Sequence, residues 1–253
     1  MLVICGFAAA AVAQSGQGVA LVIGIGGYAK APLLPNAQAD AHLVAQAFSQ
    51  LGFRTTLHMD LSHDGVLAAL QEFRQTSGQA EIAVIYFAGH GITRDGQGLL
   101  FGRDADLGGQ SNTAADTGVP LDLLVWAASN IPRQKLLFID ACRDTPDFDR
   151  ARAGESQSGL QSSGPLPAGT YIGYAAQAGA AAMDGPVGGN GPFAAALAQM
   201  LGQGELEIED LMRRVRISVI RQSGGLQVPW SQSSLLLPVY LGAAPNIGAV
   251  TGH

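Results

Sequence analysis

Two short apolar runs in the chain constrain its fold more than any other sequence feature. They are EIAVIYFAGHG at residues 81–91 and QKLLFIDACRD at residues 134–144. Each run is nearly uncharged and ends in small residues, which is typical of a strand covered on both faces of a parallel sheet. His90 and Cys142 therefore follow the ends of two such strands. Because neighbouring strands of an open α/β sheet share one crevice at their carboxyl ends, we expect a thiol and its base to meet there.

The rest of the chain alternates between strand and helix patterns. Strands are predicted at residues 18–28, 53–58, 82–87, 135–139, 170–176 and 234–241. Helices are predicted at residues 36–51, 62–75, 120–129, 192–201 and 208–221, with Asn36 as the capping residue of the first. This βαβ order predicts an α/β fold with a mostly parallel central sheet of about six strands and helices on both faces.

The composition fits a single domain. The 253 residues are 47% hydrophobic and 13% charged, so the chain can bury a full core. We assign residues 18–242 to this domain and residues 243–253 to a flexible tail. The net charge of −6 and the lack of a Lys or Arg run argue against nucleic acid as a partner.

The first residues indicate export. Residues 1–13 are apolar and end in Ala11, Val12 and Ala13, the small-residue pattern at which signal peptidases cut. We therefore predict a signal peptide and a periplasmic or secreted protein. The alternative is a buried first strand or helix. The run is too short to cross a bilayer as a helix, and no membrane span is predicted.

Cleavage after residue 13 would leave Cys142 as the sole cysteine. An exported protein with one free thiol has no disulfide to account for it, which favours a chemical role for the sulfur. The alternative is a buried cysteine that acts as a small hydrophobic residue. The charged neighbours Asp140, Arg143 and Asp144 argue against that alternative.

Several segments of the chain together resemble a known family. FAGHG, which contains His90, and DACRD, which contains Cys142, are similar to motifs of the caspase-like cysteine peptidases, and the resemblance continues through YIGYAAQAGAAAMDG, NGPFAAAL and VPWSQSSL. It covers residues 19–241 and is greatest to the bacterial caspase-like, paracaspase and metacaspase branch. The resemblance implies a caspase-like fold and a cysteine endopeptidase that acts on peptides or proteins.

The resemblance also implies roles for individual residues. Cys142 is the expected nucleophile, and His90 is the expected acid and base. The backbone N–H groups of Gly91 and Cys142 are the expected oxyanion hole. Gly89 and Gly91 are expected to let the backbone turn sharply beside His90. The alternative for His90 is a loop histidine with no role.

An acidic specificity pocket follows from the same resemblance. Asp40 and Asp140 match the positions at which this branch holds Arg or Lys before the cut, and a guanidinium fits carboxylates best. The alternatives are a helix-start charge for Asp40 and a structural hydrogen-bond acceptor for Asp140. Asp184 either lines the cleft or caps a turn beside Gly185. At Ala88 the metacaspases often have Ser, so one polar wall of the pocket is missing.

Residues 143–169 are predicted to form a long loop, because Ser, Gly, Gln, Pro and Asp dominate this stretch. The loop corresponds to the segment that separates large and small subunits in caspases. Arg150 and Arg152 lie within it, and an Arg-specific enzyme is expected to cleave itself near one of them. The alternative is an enzyme that works as an uncut chain.

No cofactor or metal is predicted. Calcium dependence is not expected, because the acidic cluster of many metacaspases has no clear match. A loose dinucleotide pattern is present, but prolines interrupt the helix that must follow it. The other histidines lack partners at zinc spacing. The acidic residues considered for calcium are Asp104, Asp106 and Asp116. The dinucleotide pattern consists of Gly24, Gly26 and Ala29, and the interrupting prolines are Pro32 and Pro35. The histidines considered for zinc are His42, His58 and His63.

Two other functions stay open at this point. A catalytically silent caspase-like module that binds peptides or partner proteins would have the same fold, although the intact pair of His90 and Cys142 favours an enzyme. A nucleotide-binding α/β protein rests on the glycine pattern alone. The sequence predicts no particular oligomeric state.

Overall fold

The computed structural model describes residues 18–94, 96–107, 117–130, 133–142, 164–177, 182–204 and 206–242. The strands within these residues are β1 (Gly18–Gly24), β2 (Arg54–Met59), β3 (Ile82–Arg94), β4 (Gln97–Phe101), β5 (Gly118–Pro120), β6 (Gln134–Cys142), β7 (Thr170–Tyr174) and β8 (Trp230–Ser233). The helices are α1 (Ala37–Gln50), α2 (His63–Thr76), α3 (Leu121–Ala128), α4 (Pro192–Leu201) and α5 (Ile208–Gln222).

The central sheet has the strand order β2-β1-β3-β6-β7-β8. Its first five strands run parallel, and β8 pairs antiparallel to β7. Outside this order, β4 pairs antiparallel to the end of β3, and β5 pairs antiparallel to β4. The predicted α/β fold with a mostly parallel central sheet is therefore confirmed.

Helices cover both faces of this sheet. Helices α1, α4 and α5 pack on one face, and α2 and α3 pack on the other. Alternate residues of β3 enter different layers: Val84 and Tyr86 lie under α1, whereas Ile85 and Phe87 lie under α2 and α3. All four are fully buried, and each large apolar side chain contributes roughly 1.5–3 kcal/mol. Residues 82–89 of β3 include no charged side chain, because an unpaired ion in either layer would lose its hydration.

Strand β3 is longer than predicted. It continues through His90 to Arg94 and reverses into β4 at Gly96, whose φ is 77°. Gly89 pairs with β6, and Gly91 pairs with β4. The sharp turn expected at Gly89 and Gly91 is therefore wrong, because both residues continue the strand.

The prediction of a last strand at residues 234–241 is also wrong. The strand is the preceding segment, β8, whose Trp230 ring stacks on Tyr174 of β7 with centroids 5.0 Å apart. Leu236 and Leu237 are 82% and 71% exposed, so the apolar residues that suggested a strand do not enter the sheet. Pro238 in the same stretch has no N–H for a ladder.

Several predictions fall outside the described residues. They are the signal peptide at residues 1–13, the tail at residues 243–253 and most of the predicted loop, including Arg150 and Arg152. In the part of the chain that is described, no helix is long and apolar enough to cross a bilayer.

Candidate active site

The register between β3 and β6 brings together the residues that the sequence motifs single out. Ala88 pairs with Asp140, and His90 pairs with Cys142, as Cα partners on adjacent parallel strands. Both pairs lie at the carboxyl end of β6, where its pairing with β3 stops and the crevice of an open α/β sheet forms. The backbone of β6 therefore ends with Cys142 directly beside His90.

The loop between β1 and α1 holds His90 in place. The His90 Nε2 atom lies 2.8 Å from the carbonyl oxygen of Pro32, and the His90 backbone N–H donates to the Tyr28 hydroxyl at 2.7 Å. The Tyr28 hydroxyl donates in turn to the carbonyl oxygen of Phe101 at 3.2 Å, and the Tyr28 and His90 rings lie 4.4 Å apart. A Cβ on Gly89 would lie 2.7 Å from the Tyr28 hydroxyl oxygen, so glycine is needed there. These contacts fix the orientation of the imidazole.

The contact with Pro32 determines which ring nitrogen of His90 carries hydrogen. A carbonyl oxygen only accepts, so Nε2 is the protonated nitrogen, and Nδ1 of the neutral ring keeps its lone pair. His90 is 7% exposed, and burial lowers its pKa against the opposing effects of the Pro32 carbonyl and the Asp184 charge. A neutral imidazole with this tautomer is able to accept a thiol proton at Nδ1.

An acidic pocket adjoins this site. Asp40, Asp140 and Asp184 line it, and its empty space, which includes the part open to solvent, is about 280 Å³. No Lys or Arg is among the described residues of its wall. Ionised carboxylates that share one pocket repel each other, and a cation placed there would reduce that repulsion. The remaining lining residues are Leu34, Ala37, Ala88, Gly89, Ala182 and Met183.

Asp40 enters the pocket from the first turn of α1 and is 4% exposed. Its Oδ1 atom accepts from the side-chain amide of Asn190 and from the backbone N–H of Gly191, both at 2.9 Å. Burial raises the pKa of Asp40 to about 6, although these hydrogen bonds oppose the shift. Asp40 therefore lies in the pocket wall and, as in the alternative interpretation, also at the start of a helix.

Asp140 enters the pocket from the end of β6. Its Oδ2 atom accepts from the hydroxyl of Tyr86 on β3 at 2.9 Å. Burial, reinforced by the charge of Asp40, raises the pKa of Asp140 to about 8. Asp140 is thus a hydrogen-bond acceptor, which was the alternative predicted for it, and it also lines the pocket.

Asp184 lies on the loop between β7 and α4, which the side chain of Asn36 holds from one side. Asn36 donates to the carbonyl oxygens of Asp184 and Pro186 and accepts from the backbone N–H of Gly188. Asn36 occupies the predicted cap position of α1. The capping role predicted for its side chain is wrong, because that side chain makes no capping hydrogen bond. Asp184 lines the pocket and also precedes Gly185, whose φ is 78°, two residues before the turn at Val187 and Gly188.

Gln227 holds the same loop from the other side. It is fully buried, accepts from the backbone N–H of Met183 at 3.0 Å and donates to the carbonyl oxygen of Ala175 at 2.9 Å.

Burial raises the pKa of Asp184, and the nearby His90 opposes that shift. Asp184 therefore lines the acidic pocket and is also close enough to His90 for the two charges to interact.

The acidic residues considered for calcium contact the protein's own groups. Asp104 accepts from the backbone N–H of His63 at 2.8 Å, and Asp106 lies 3.5 Å from the Lys30 ammonium. Asp116 lies outside the described residues. Within the described ranges, no group of three or more His, Cys, Asp or Glu side chains is arranged to hold a metal ion.

The fold agrees with a comparison against known families. A family model of the caspase domain matches residues 17–240. The chain belongs to the caspase-domain family of cysteine peptidases. The resemblance drawn from the motifs is confirmed at this level, and membership suggests protein substrates. No curated protein matches this caspase-domain protein.

Sequence patterns did not identify four contributors to the site of this caspase-domain protein. Tyr28 and Pro32 orient His90, Asn36 holds the loop of Asp184, and Tyr86 contacts Asp140. For Tyr86 a signal exists: it supplies the only hydroxyl in the apolar run of β3, and a buried tyrosine hydroxyl needs a partner. The other three lie in the loop between β1 and α1, where the sequence prediction had extended the first strand to Tyr28 and assigned Asn36 as a helix cap.

Proposed function

We propose that this caspase-domain protein is a cysteine endopeptidase of the paracaspase and metacaspase type that cleaves after Arg or Lys. The observation that carries the proposal is the pocket beside His90, which three carboxylates share and whose described wall contains no Lys or Arg. A cationic side chain at the residue before the cut, termed P1, would offset the repulsion among these carboxylates. Arg is favoured over Lys because its planar guanidinium presents several donors to carboxylate oxygens.

Cys142 and His90 are the proposed catalytic pair. Nδ1 of His90 takes the thiol proton of Cys142, and the thiolate attacks the carbonyl carbon of the P1 residue. The backbone N–H groups of Gly91 and Cys142 donate to the oxyanion. The amine then leaves with the proton held by His90, and a thioester remains. Water gives a proton to His90 as it attacks the thioester, and that proton returns to the Cys142 sulfur when the acid product leaves.

The pocket carboxylates should make substrate binding depend on pH. Because burial raises the pKa of Asp40 to about 6 and that of Asp140 to about 8, Asp140 of the empty pocket holds a proton near neutral pH, and Asp40 takes one up at about pH 6 and below. A cation favours the ionised carboxylates, so its binding is accompanied by proton release. The efficiency of cleavage after Arg is therefore expected to increase as the pH rises through this interval.

Fluorogenic peptides that differ only at P1 test the proposal. Arg is expected to be cleaved best and Lys next. Citrulline, an uncharged analogue with nearly the shape of Arg, is expected to give a kcat/KM lower by about 30-fold or more at pH 8. The ratio between Arg and citrulline is expected to be smaller at pH 6, because more of the pocket is then protonated. Assays with calcium and with a chelator are expected to agree.

Other results of the same panel separate the alternatives. Equal cleavage after Arg and citrulline, or a preference for Asp, would contradict the role of the pocket but not the peptidase assignment. Tight binding of the Arg peptide without cleavage of any member would instead identify a catalytically silent peptide-binding module.

Self-cleavage in the loop at residues 143–169 is a further part of the proposal. Arg150 and Arg152 lie outside the described residues, in a Ser- and Gly-rich stretch that begins directly after Cys142. Intact-mass analysis is expected to show the parent protein cut near Arg150 or Arg152 and the Cys142→Ala variant at full length. If the parent cleaves peptides but itself stays whole, the enzyme works as an uncut chain.

A further inference from the structure

Tyr86 lies behind the acidic pocket, in the layer of the core beneath α1 and α4. The side chain is fully buried, and Tyr86 is not among the residues that line the pocket. Its hydroxyl donates to Oδ2 of Asp140 at 2.9 Å. A buried hydroxyl normally has an acceptor, and here that acceptor is a pocket carboxylate.

Two of the pocket carboxylates each accept hydrogen bonds from the protein through one of their two oxygens. Among the described residues, Oδ1 of Asp40 accepts from Asn190 and Gly191, and Oδ2 of Asp140 accepts from Tyr86. The second oxygen of each carboxylate is therefore left for a ligand in the pocket. Since a guanidinium is recognised by the geometry of the oxygens it meets, the donors behind the carboxylates influence how it binds.

We infer that Tyr86 is a positioning residue that sets the selectivity of the pocket for a P1 cation. Its hydroxyl fixes the rotation of the Asp140 carboxylate and stabilises the ionised form, which is the form that attracts a cation. The inference rests on the proposed function, because it concerns how the same pocket selects Arg.

The other influences on Asp140 oppose its ionisation. Burial has the largest effect on its pKa, and the charges of Asp40 on α1 and Asp184 on the loop after β7 raise the pKa further. Tyr86 on β3 acts in the opposite direction, because its hydrogen bond lowers the pKa of Asp140. Removing this hydroxyl should therefore give a carboxyl group that keeps its proton to a higher pH.

Tyr86→Phe removes the hydroxyl and keeps the buried ring. At pH 7 we expect kcat/KM for the Arg peptide to fall about tenfold, mainly through KM, and cleavage of the citrulline peptide to stay the same. The pH at which kcat/KM for Arg reaches half its maximum is expected to rise by about one unit. Both values are obtained from steady-state assays of the parent and the variant between pH 5.5 and 9.5.

Tyr174→Phe is the matched control. Tyr174 is also a buried tyrosine on the central sheet, and its hydroxyl donates to the Gln232 side chain at 2.9 Å. Its ring belongs to the layer on the opposite face of the sheet from Tyr86. Tyr174→Phe is expected to keep the pH profile and the Arg preference of the parent.

Thermal unfolding at different pH values gives a readout that needs no substrate. The folded parent holds the Asp140 proton at pH values where the unfolded chain has released it, so its Tm falls with rising pH until Asp140 ionises. In Tyr86→Phe this fall is expected to extend about one pH unit further. In an Asp140→Asn background, Tyr86→Phe is expected to leave the pH dependence of Tm unchanged.

An unchanged pH midpoint in both readouts, or the same shift in Tyr174→Phe, would overturn the inference. Failure of the proposed function appears separately, as a parent protein that does not prefer Arg to citrulline. The unfolding measurements then decide by themselves whether Tyr86 controls the ionisation of Asp140.

Discussion

Cys142→Ala and His90→Ala are each expected to lower kcat for an Arg peptide by at least about 10³-fold. The thiolate and the imidazole act as a unit, so the double variant is expected to be no slower than either single variant. Steady-state assays at pH 8 with the fluorogenic Arg peptide measure these effects. Cys142→Ala leaves the acidic pocket intact, so its affinity for the cation benzamidine is expected to match that of the parent.

His42→Ala serves as the control for the loss of a histidine, because His42 is exposed on α1. It is expected to retain full activity. A Cys142→Ala variant with activity close to that of the parent would show that another group attacks the peptide. Comparison of the Tm values of the variants and the parent distinguishes a loss of catalysis from a loss of the fold.

The strands that carry His90 and Cys142, the proposed catalytic pair, were predictable because burial on both faces makes the composition of a strand almost uniformly apolar. The central parts of β3 and β6 have no charged residue, whereas His90 lies farther along β3 and Cys142 is the last residue of β6. The parallel order of strands also follows from the alternation of patterns along the chain. The pairing of His90 with Cys142 then results from two neighbouring strands that end at the same edge of the sheet.

The contacts that orient the site were not predictable from such patterns. His90 receives its contacts from Tyr28 and Pro32, which lie 62 and 58 residues away in the chain. Tyr86 counts as one more buried residue in the pattern of β3, and its partner Asp140 lies 54 residues away. Hydrogen bonds over these separations depend on how loops and neighbouring strands pack in three dimensions, and the local periodicity of the sequence does not specify that packing.

Asp140→Asn is expected to lower kcat/KM for the Arg peptide at pH 8 by about 30-fold to several thousand-fold. This corresponds to about 2–5 kcal/mol, the loss that follows removal of one partner from a buried charge pair. The citrulline peptide is expected to be affected much less, because it brings no charge into the pocket. Asp64→Asn is the control, since the Asp64 side chain is 95% exposed at the start of α2. Equal losses on both peptides would show that Asp140 supports the site but does not bind the cation.

The same Asp140→Asn change is expected to stabilise the protein, and more so at higher pH. Burial raises the pKa of Asp140 from an ordinary 3.8 to about 8, so between these values the folded state holds a proton that the unfolded chain has released. By linkage, this group makes the stability of the parent fall as pH rises through that interval, whereas Asn has no proton to lose.

Between pH 6 and pH 8 the Tm advantage of Asp140→Asn over the parent is expected to grow by several degrees, or about 2 kcal/mol in the free energy of unfolding. Scanning calorimetry of both proteins across this range measures it. A constant Tm difference would mean that the folded parent does not take up the expected proton. Weaker cleavage after Arg combined with greater stability would identify Asp140 as a carboxylate that destabilises the empty enzyme and is retained for the cation it binds.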